Sequence, residues 1–192
     1  MSDLPVLSDV LAALRDHVLE HSLKEGDFVL KSGAHSSWFL DTKQTACRAD
    51  GIVLVADALV EVMGRELDDI DAIGGLTMGA DPVAFGVAAV LATRGRTVRS
   101  FSVRKEAKQG GVTGRIAGAL APGDRVLVVE DTTTRGTSLI EAVDQIVAFG
   151  ATPTALSVIV DRGGTCAALA AERDLDYRPL LTAPDLGRAY GS

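Results

Sequence analysis

Two stretches of the chain repeat apolar residues at the spacing of an amphipathic helix. In the first, which follows Ser8, the apolar residues of positions 10–18 fall on one face; in the second, those of positions 52–62 do so just before Gly64. Serine is a favoured residue at the start of a helix, and glycine at its end. We therefore predict two helices whose apolar faces pack into a core.

Short apolar runs bounded by turn residues predict four strands, several of them buried on both faces. They cover positions 70–74, 98–103, 125–129 and 155–160. Helical patterns lie between them at 81–92 and at 138–149, and Gly150 closes the second. This alternation predicts a parallel α/β sheet with right-handed connections, in which ligands bind beyond the carboxyl ends of the strands. With no repeat and no linker, one domain is expected.

Composition narrows the function classes. The 192 residues are 47% hydrophobic but only 4% aromatic, which predicts an aliphatic core. Nineteen basic and twenty-six acidic residues give a net charge of -7, which argues against general electrostatic binding to nucleic acid or to an anionic membrane. Without a membrane-length apolar stretch or a signal-like start, we expect a cytoplasmic protein. Cys47 and Cys166 are isolated and the three histidines do not join them, so neither a disulfide framework nor structural zinc is expected.

The strongest chemical motif is an apolar strand that ends in two acids, Glu130 and Asp131, and continues through a hydroxyl-rich turn containing Gly136 into a helix. Such a turn can aim backbone N–H groups and hydroxyls at one phosphate, and the helix dipole favours the anion. The acids would repel that phosphate, so they suit a polyol, a metal ion or a developing cation. A phosphorylated sugar would supply all three, because its hydroxyls, a metal ion bound with it and a positive charge that develops on it could each face the acids. The alternative is a capped helix with solvated surface acids; Walker A and GxGxxG loops do not match.

This motif resembles the signature of type I phosphoribosyltransferases, which holds the 5-phosphate of phosphoribosyl pyrophosphate. Two further segments resemble orotate phosphoribosyltransferases in particular. In the first, which spans 28–41, Lys31 offers a cation and Phe39 a stacking face for a planar base. In the second, Arg162 follows the strand at 155–160 and could pair with the orotate carboxylate, although an Asp-Arg pair alone could be structural.

Positions 104–111, which follow the predicted strand at 98–103, resemble the mobile catalytic loop of that family. The resemblance implies that Lys108 is the catalytic loop lysine and binds pyrophosphate with Arg104 and Lys105, reaching into the partner subunit's site; a basic loop alone is more often a solvated surface. Two positions depart from the family. Gly110 stands where many members have His, and Gly79 stands where some have Lys, so backbone amides are expected to take over the second contact.

The resemblance implies a type I phosphoribosyltransferase fold, a central mostly parallel twisted sheet flanked by helices. It further implies one domain over 1–192, with a hood of about 1–45 plus the C-terminal segment and a core of about 46–162. The expected enzyme transfers ribose 5-phosphate from phosphoribosyl pyrophosphate to orotate, giving orotidine 5'-monophosphate and pyrophosphate in UMP biosynthesis. Mg2+ is the expected cofactor. The expected assembly is a homodimer with shared sites, which binds neither nucleic acid nor membrane.

The implied site residues fall into three groups. The catalytic residues are Lys108, Asp131 and Glu130, and Asp131 would also hold Mg2+, mainly through water or substrate. Phosphoribosyl pyrophosphate would be bound by Arg104, Lys105, Lys108, Glu130, Asp131, Thr132, Thr133, Thr134, Arg135, Gly136, Thr137 and Ser138. Orotate would be bound by Lys31, Phe39, Thr134 and Arg162. Two alternatives stay open: a phosphoribosyltransferase for another base, and a non-catalytic regulator that senses phosphoribosyl pyrophosphate.

Overall fold

A computed structural model describes residues 5–29, 35–108 and 114–191. Its helices are α1 (Asp9–His21), α2 (Lys43–Ala46), α3 (Ala49–Met63), α4 (Ala80–Thr93), α5 (Thr137–Phe149) and α6 (Cys166–Ala171), with 3-10 helices at Gly64–Asp69 and Pro184–Leu186. Its strands are β1 (Leu23–Val29), β2 (His35–Leu40), β3 (Ala72–Leu76), β4 (Arg99–Lys108), β5 (Gly114–Gly118), β6 (Arg125–Thr133), β7 (Thr152–Asp161), β8 (Asp176–Tyr177) and β9 (Leu181–Thr182). None of the helices in these ranges has the length and apolar character needed to cross a membrane.

The main sheet has the strand order β5-β4-β3-β6-β7-β8, with β9 paired to β7. All pairs are parallel except β4 with β5, which confirms the predicted mostly parallel sheet. From β3 the chain proceeds through α4 to β4 on one side, and from β6 it proceeds through α5 to β7 on the other. The strand order therefore reverses between β3 and β6, and a crevice for ligands is expected at their carboxyl ends.

Strand β6 contains a continuous apolar run because both of its faces are buried. Leu127 and Val129 pack into the cluster formed with α1, α3 and α4, whereas Val126 and Val128 pack into the cluster formed with α5 and α6. Successive side chains of a strand point to opposite faces, so burial on both faces requires apolar residues at every position. The sheet is thus the middle layer between two layers of helices.

Two predicted helices have the expected ends. The Ser8 hydroxyl accepts a hydrogen bond from the N–H of Leu11 at the start of α1. Helix α5 ends at Gly150, whose φ of +95° lies in the left-handed region that side chains disfavour. The local capping signals in the sequence therefore located these boundaries to within a residue.

A two-stranded antiparallel sheet, β1 with β2, was not predicted. In β2 the residues Ser36, Trp38 and Leu40 are buried and their neighbours are exposed. Trp38 belongs to the same cluster as Leu181 of the C-terminal segment, and the Arg188 side chain forms an ion pair with Glu25. The division of the chain into a hood and a core stays a prediction.

Strand β4 is longer than predicted, because the chain does not enter a loop after Val103. Residues 104–108 continue the strand, and Lys108 pairs with Gly114 of β5 in an antiparallel arm. The neighbouring strand β3 pairs with β4 only as far as Val103, so the arm leaves the main sheet there. Its residues 105–108 are exposed, and charged side chains are compatible with a strand in that setting. The prediction of a loop from Arg104 is therefore wrong; Gly110 and Gly111 lie outside the described residues.

Candidate active site

The two acids of the motif lie inside strand β6, which runs to Thr133 rather than ending at Val129. Glu130 is 6% exposed and Asp131 is 3% exposed. The Asp131 carboxylate accepts a hydrogen bond from the N–H of Thr132 at 2.9 Å. The alternative that these acids are solvated surface residues is therefore wrong.

Lys43, on the single turn of α2, donates a hydrogen bond from Nζ to Oδ2 of Asp131 at 2.5 Å. Burial lowers the pKa of Lys43, but the hydrogen bond and charge of Asp131, with the charges of Asp41 and Glu130, outweigh that effect and raise it overall. This residue was missed by sequence reasoning. The two partners are 88 positions apart, and no local pattern relates them.

The pair of acids carries less negative charge than two separate carboxylates would. Burial, followed by the charge of Asp131, raises the pKa of Glu130 to about 8, and the charge of Lys43 opposes this rise. A Glu130 carboxyl with that pKa is largely protonated at neutral pH. The site can therefore accept a polyanionic ligand with less repulsion than the sequence suggests.

Gly79 lies on the turn between β3 and α4, against the acids. A Cβ atom at this position would come within 1.7 Å of Glu130 Oε1 and 2.6 Å of Asp131 Oδ1. The turn is fastened by Asp81, whose carboxylate accepts hydrogen bonds from the hydroxyls of Thr77 and Ser102. No side chain fits at Gly79 unless the acids move, so only backbone groups can face a ligand from this point.

The predicted phosphate turn joins β6 to α5 as expected. Gly136 has a φ of +76°, and a Cβ there would lie 2.9 Å from Cys166 Sγ, so this position requires glycine. Its N–H is donated to the Thr133 hydroxyl, so it holds the shape of the turn. The first N–H groups of α5 have no acceptor within the helix, and the side chains of Thr134 and Thr137 are exposed. A phosphate can bind these groups at the positive end of the helix dipole.

Arg162 lies beside that turn, at the end of β7. Its backbone N–H is donated to the carbonyl of Thr133 at 2.8 Å, and its guanidinium carbon lies 4.2 Å from the centre of the Trp38 ring. Burial lowers the pKa of Arg162. The neighbouring Asp161 accepts hydrogen bonds from the Tyr177 hydroxyl and from backbone N–H groups of the following turn. Arg162 is thus a partly desolvated cation stacked on an aromatic ring.

The predicted contacts to a planar base are only partly described. Phe39 is 39% exposed on β2, and its ring centre is 5.7 Å from that of Phe28. The aromatic ring that meets Arg162 is the buried Trp38, next to Phe39 in the chain. Lys31 lies outside the described residues.

The three predicted pyrophosphate cations lie on the β4–β5 arm. Arg104 donates a hydrogen bond to the carbonyl of Gly114, while Lys105 and Lys108 are exposed. Across residues 5–29, 35–108 and 114–191, no hydrogen bond or ion pair joins these cations to Glu130 or Asp131. The fold brings together the acids, the phosphate turn and Arg162, but it leaves the arm cations apart from them.

Comparison with curated proteins and with solved structures identifies relatives of one kind, although no family model matches the chain. The orotate phosphoribosyltransferase of Corynebacterium glutamicum is 36% identical over 187 residues, which cover 97% of this chain and 99% of that protein. A crystal structure of Mycobacterium tuberculosis H37Rv orotate phosphoribosyltransferase with Fe(III) dicitrate superposes with a TM-score of 0.83 and 34% identity, covering 93% of this chain and 99% of that one. The same enzyme in complex with phosphoribosyl pyrophosphate gives a TM-score of 0.79 and 31% identity over the same shares.

Proposed function

The chain belongs to the orotate phosphoribosyltransferase family, and we propose that it transfers ribose 5-phosphate from phosphoribosyl pyrophosphate to orotate at the carboxyl ends of β3 and β6. The products are orotidine 5'-monophosphate and pyrophosphate, and the step belongs to UMP biosynthesis. One observation carries the placement: the buried acids of β6 lie between the Gly79 turn and a phosphate turn at the start of α5. The expected location is the cytoplasm.

The 5-phosphate of the sugar binds at the phosphate turn. The first backbone N–H groups of α5 and the hydroxyls of Thr134, Thr137 and Ser138 supply hydrogen-bond donors there, and the helix dipole adds favourable potential. Thr132, Thr133, Arg135 and Gly136 complete the turn that shapes this site. A phosphate bound at this point places the ribose next to the acids of β6.

Glu130 and Asp131 bind the ribose hydroxyls. As the bond from C1 to pyrophosphate lengthens, the ribose gains oxocarbenium character, and the charged Asp131 carboxylate stabilises it, while the largely protonated Glu130 acts as a hydrogen-bond partner of the ribose hydroxyls. The buried position of Asp131 strengthens this effect, because less water screens it. Orotate is already an anion, so little base catalysis is needed for its attack.

The leaving pyrophosphate gains negative charge and needs cations or N–H donors. The Gly79 turn supplies backbone groups, and we assign Lys108, with Arg104 and Lys105, to the remaining contacts. Lys108 is the catalytic member of this group, because its contact strengthens as charge develops on the leaving group. The arm must move to place these side chains, of which Lys105 and Lys108 are exposed, over the pyrophosphate of an active site.

The acids also fit a magnesium ion. Mg2+ prefers oxygen ligands and is typically held by one or two carboxylates together with substrate phosphates. Oδ2 of Asp131 carries the Lys43 ammonium at 2.5 Å and Oδ1 accepts the N–H of Thr132, so direct ligation of an ion would have to displace one of these partners. Asp131 would hold the ion, mainly through water or substrate, and the ion would neutralise charge on pyrophosphate.

Orotate binds on the side of Arg162. A guanidinium can form two parallel hydrogen bonds with a carboxylate, which a purine does not offer. We assign Phe39 to stacking on the base, and Lys31 and Thr134 to its polar edge. The cation of Arg162 is positioned by its backbone bond to Thr133 and by the Trp38 ring.

The exposed apolar side chains support a homodimer. Met78 is 66% exposed on the turn before α4, Phe85 is 44% exposed on α4, and Val53 is 39% exposed on α3, which packs against α4. Exposed apolar patches are typical of subunit contacts, and we assign these side chains to one. In such a dimer the β4–β5 arm of one subunit would reach the site of the other.

A spectrophotometric assay tests the proposal against both alternatives. The protein is given Mg2+ and phosphoribosyl pyrophosphate, with orotate, uracil or adenine in separate reactions. We expect consumption of orotate alone. Turnover of another base would establish a different phosphoribosyltransferase, and tight binding of phosphoribosyl pyrophosphate without any turnover would favour the regulator, so either result contradicts the proposal.

A further inference from the structure

Three potential metal ligands meet outside the active site, between α1 and the first turn of α3. His17 and His21 are one helical turn apart on α1, with ring centres 4.4 Å apart. Asp50 approaches them from α3, and one ligand atom from each residue lies within 4.8 Å of the others. Sequence analysis predicted no zinc site here, because the carboxylate is 29 positions beyond the nearer histidine and only the fold brings it close.

His17 is held with one ring nitrogen directed at this point. Its Nδ1 is 3.2 Å from the Thr45 hydroxyl, which is itself 2.7 Å from the Ser22 hydroxyl. Nε2 is buried and, within the described part of the chain, has no hydrogen-bond partner; the nearest carboxylate oxygen, Oδ2 of Asp50, is 3.5 Å away. A hydrogen bond at one ring nitrogen fixes the orientation of the other, as is typical of metal-bound histidines.

The backbone is shaped to bring α3 against this ring. A Cβ atom at Gly51 would lie 2.8 Å from Cε1 of His17 and 2.2 Å from the carbonyl oxygen of Thr45. Glycine at this position therefore permits the first turn of α3, with Asp50, to approach His17. A buried ring nitrogen without a partner is unfavourable, and a bound cation would remove that cost.

We propose that His17, His21 and Asp50 bind a Zn2+ ion. Two imidazoles and a carboxylate suit Zn2+ better than Mg2+ or Ca2+, and a water molecule would complete a tetrahedron. Zinc bonds of about 2.0–2.1 Å require the ligand atoms to close up, which the exposed side chain of Asp50 and the partly exposed ring of His21 allow. Arg48 lies 3.4 Å from Oδ1 of Asp50, so Oδ2 faces His17 and remains for the metal.

The ion would join α1 to α3 and restrain the single turn α2 between them. Thr45, which positions His17, is on the same turn as Lys43, the partner of Asp131 in the active site. Zinc binding would therefore stabilise the folded chain and hold the turn that carries Lys43.

Calorimetric titration of the full chain with Zn2+, after treatment with a chelator, tests the site. We expect one strong site in the wild-type protein, weakened at least about tenfold in the His21→Ala and Asp50→Asn variants. The thermal midpoint should rise by about 5–10 °C at a free Zn2+ concentration one hundred times the dissociation constant. Both substitutions affect partly or largely exposed side chains, so the variants should fold, whereas His17 is buried.

His35→Ala is the matched control, because His35 is the third histidine of the chain and is exposed on β2. Its affinity for Zn2+ should equal that of the wild-type protein. The acids of β6 are retained in every variant, so any zinc bound there contributes equally to all titrations. The proposal is overturned if the wild-type protein shows no site beyond that shared background, or if His21→Ala and Asp50→Asn bind as the wild-type protein does.

Discussion

The contact between Lys43 and Asp131 provides the sharpest test of the site. Replacing Lys43 by Met keeps a side chain of similar length but removes the ammonium that lies 2.5 Å from Oδ2 of Asp131. The charged Asp131 carboxylate, beside the largely protonated Glu130, then faces the incoming polyanion without a neighbouring cation. We expect the KM for phosphoribosyl pyrophosphate to rise, while the KM for orotate changes less.

The size of the effect follows from the exposure of the two partners. A hydrogen bond to a charged group contributes about 1.5–3 kcal/mol. The Lys43 side chain is 40% exposed although that of Asp131 is only 5% exposed, so solvent screening reduces the figure to about 1–1.5 kcal/mol. We take the same magnitude for the attraction between the Lys43 ammonium and the bound polyanion, and its loss corresponds to a rise in KM of roughly five- to tenfold. If the contact with Asp131 stabilises the fold, the thermal midpoint should fall by about 2–6 °C.

Steady-state kinetics with each substrate varied in turn measure the effect. Lys24→Met is the matched control, because Lys24 is an exposed lysine on β1 and its loss changes the net charge equally. Lys43→Arg, which keeps the charge, should restore most of the affinity. The reasoning is refuted if Lys43→Met leaves the KM for phosphoribosyl pyrophosphate within twofold of the wild-type value or if Lys24→Met raises it equally. A lower KM would show that Lys43 competes with the substrate, and it would refute the reasoning as well.

Four further predictions concern the acids and the arm. Lys108→Ala should lower kcat much more than it weakens orotate binding, because its contact strengthens with charge on the leaving group; unchanged turnover would remove Lys108 from the mechanism. Asp131→Asn should stay folded by circular dichroism but lose affinity for phosphoribosyl pyrophosphate or lose turnover. An equal mixture of Lys108→Ala and Asp131→Asn should recover about a quarter of wild-type activity if subunits exchange and share sites. Hybrid dimers that form and remain inactive would contradict shared sites. Because burial raises the pKa of Glu130 from about 4.5 to about 8, this carboxyl stabilises the fold below pH 4.5 and that contribution is lost as the pH rises through 8. Urea unfolding should therefore show Glu130→Gln gaining stability relative to the wild-type protein between pH 5 and pH 9, and a difference independent of pH would disprove the shift.

The sheet could be predicted where burial of the strands requires apolar residues. Strand β6 is apolar at consecutive positions because both of its faces are covered, and the helix ends at Ser8 and Gly150 follow from local capping. The β4–β5 arm was missed because residues 105–108 of β4 are exposed and the edge strand β5 is only partly covered, and charged residues are tolerated in such positions. The β1–β2 pair was missed because β2 carries the apolar Phe39 at an exposed position, so its apolar and polar residues do not alternate although its buried and exposed positions do.

The site was predictable only in its local parts. The acids and the phosphate turn are consecutive in sequence, so one motif identifies them. Lys43 reaches Asp131 across 88 positions, and the fit of Gly79 against Glu130 depends on two strands packing side by side. Contacts of this kind arise from the folded topology and leave no periodic pattern along the chain.

The stacking of Arg162 on Trp38 has a practical consequence for spectroscopy. Trp38 is the only tryptophan of the chain and is 1% exposed, so the ultraviolet fluorescence excited at long wavelength comes almost entirely from one shielded indole. The cation that stacks on this ring at 4.2 Å is the one assigned to the orotate carboxylate. Any movement of that guanidinium changes the electric field at the indole, so the emission of the unlabelled protein carries a built-in optical signal from the base-binding side of the site.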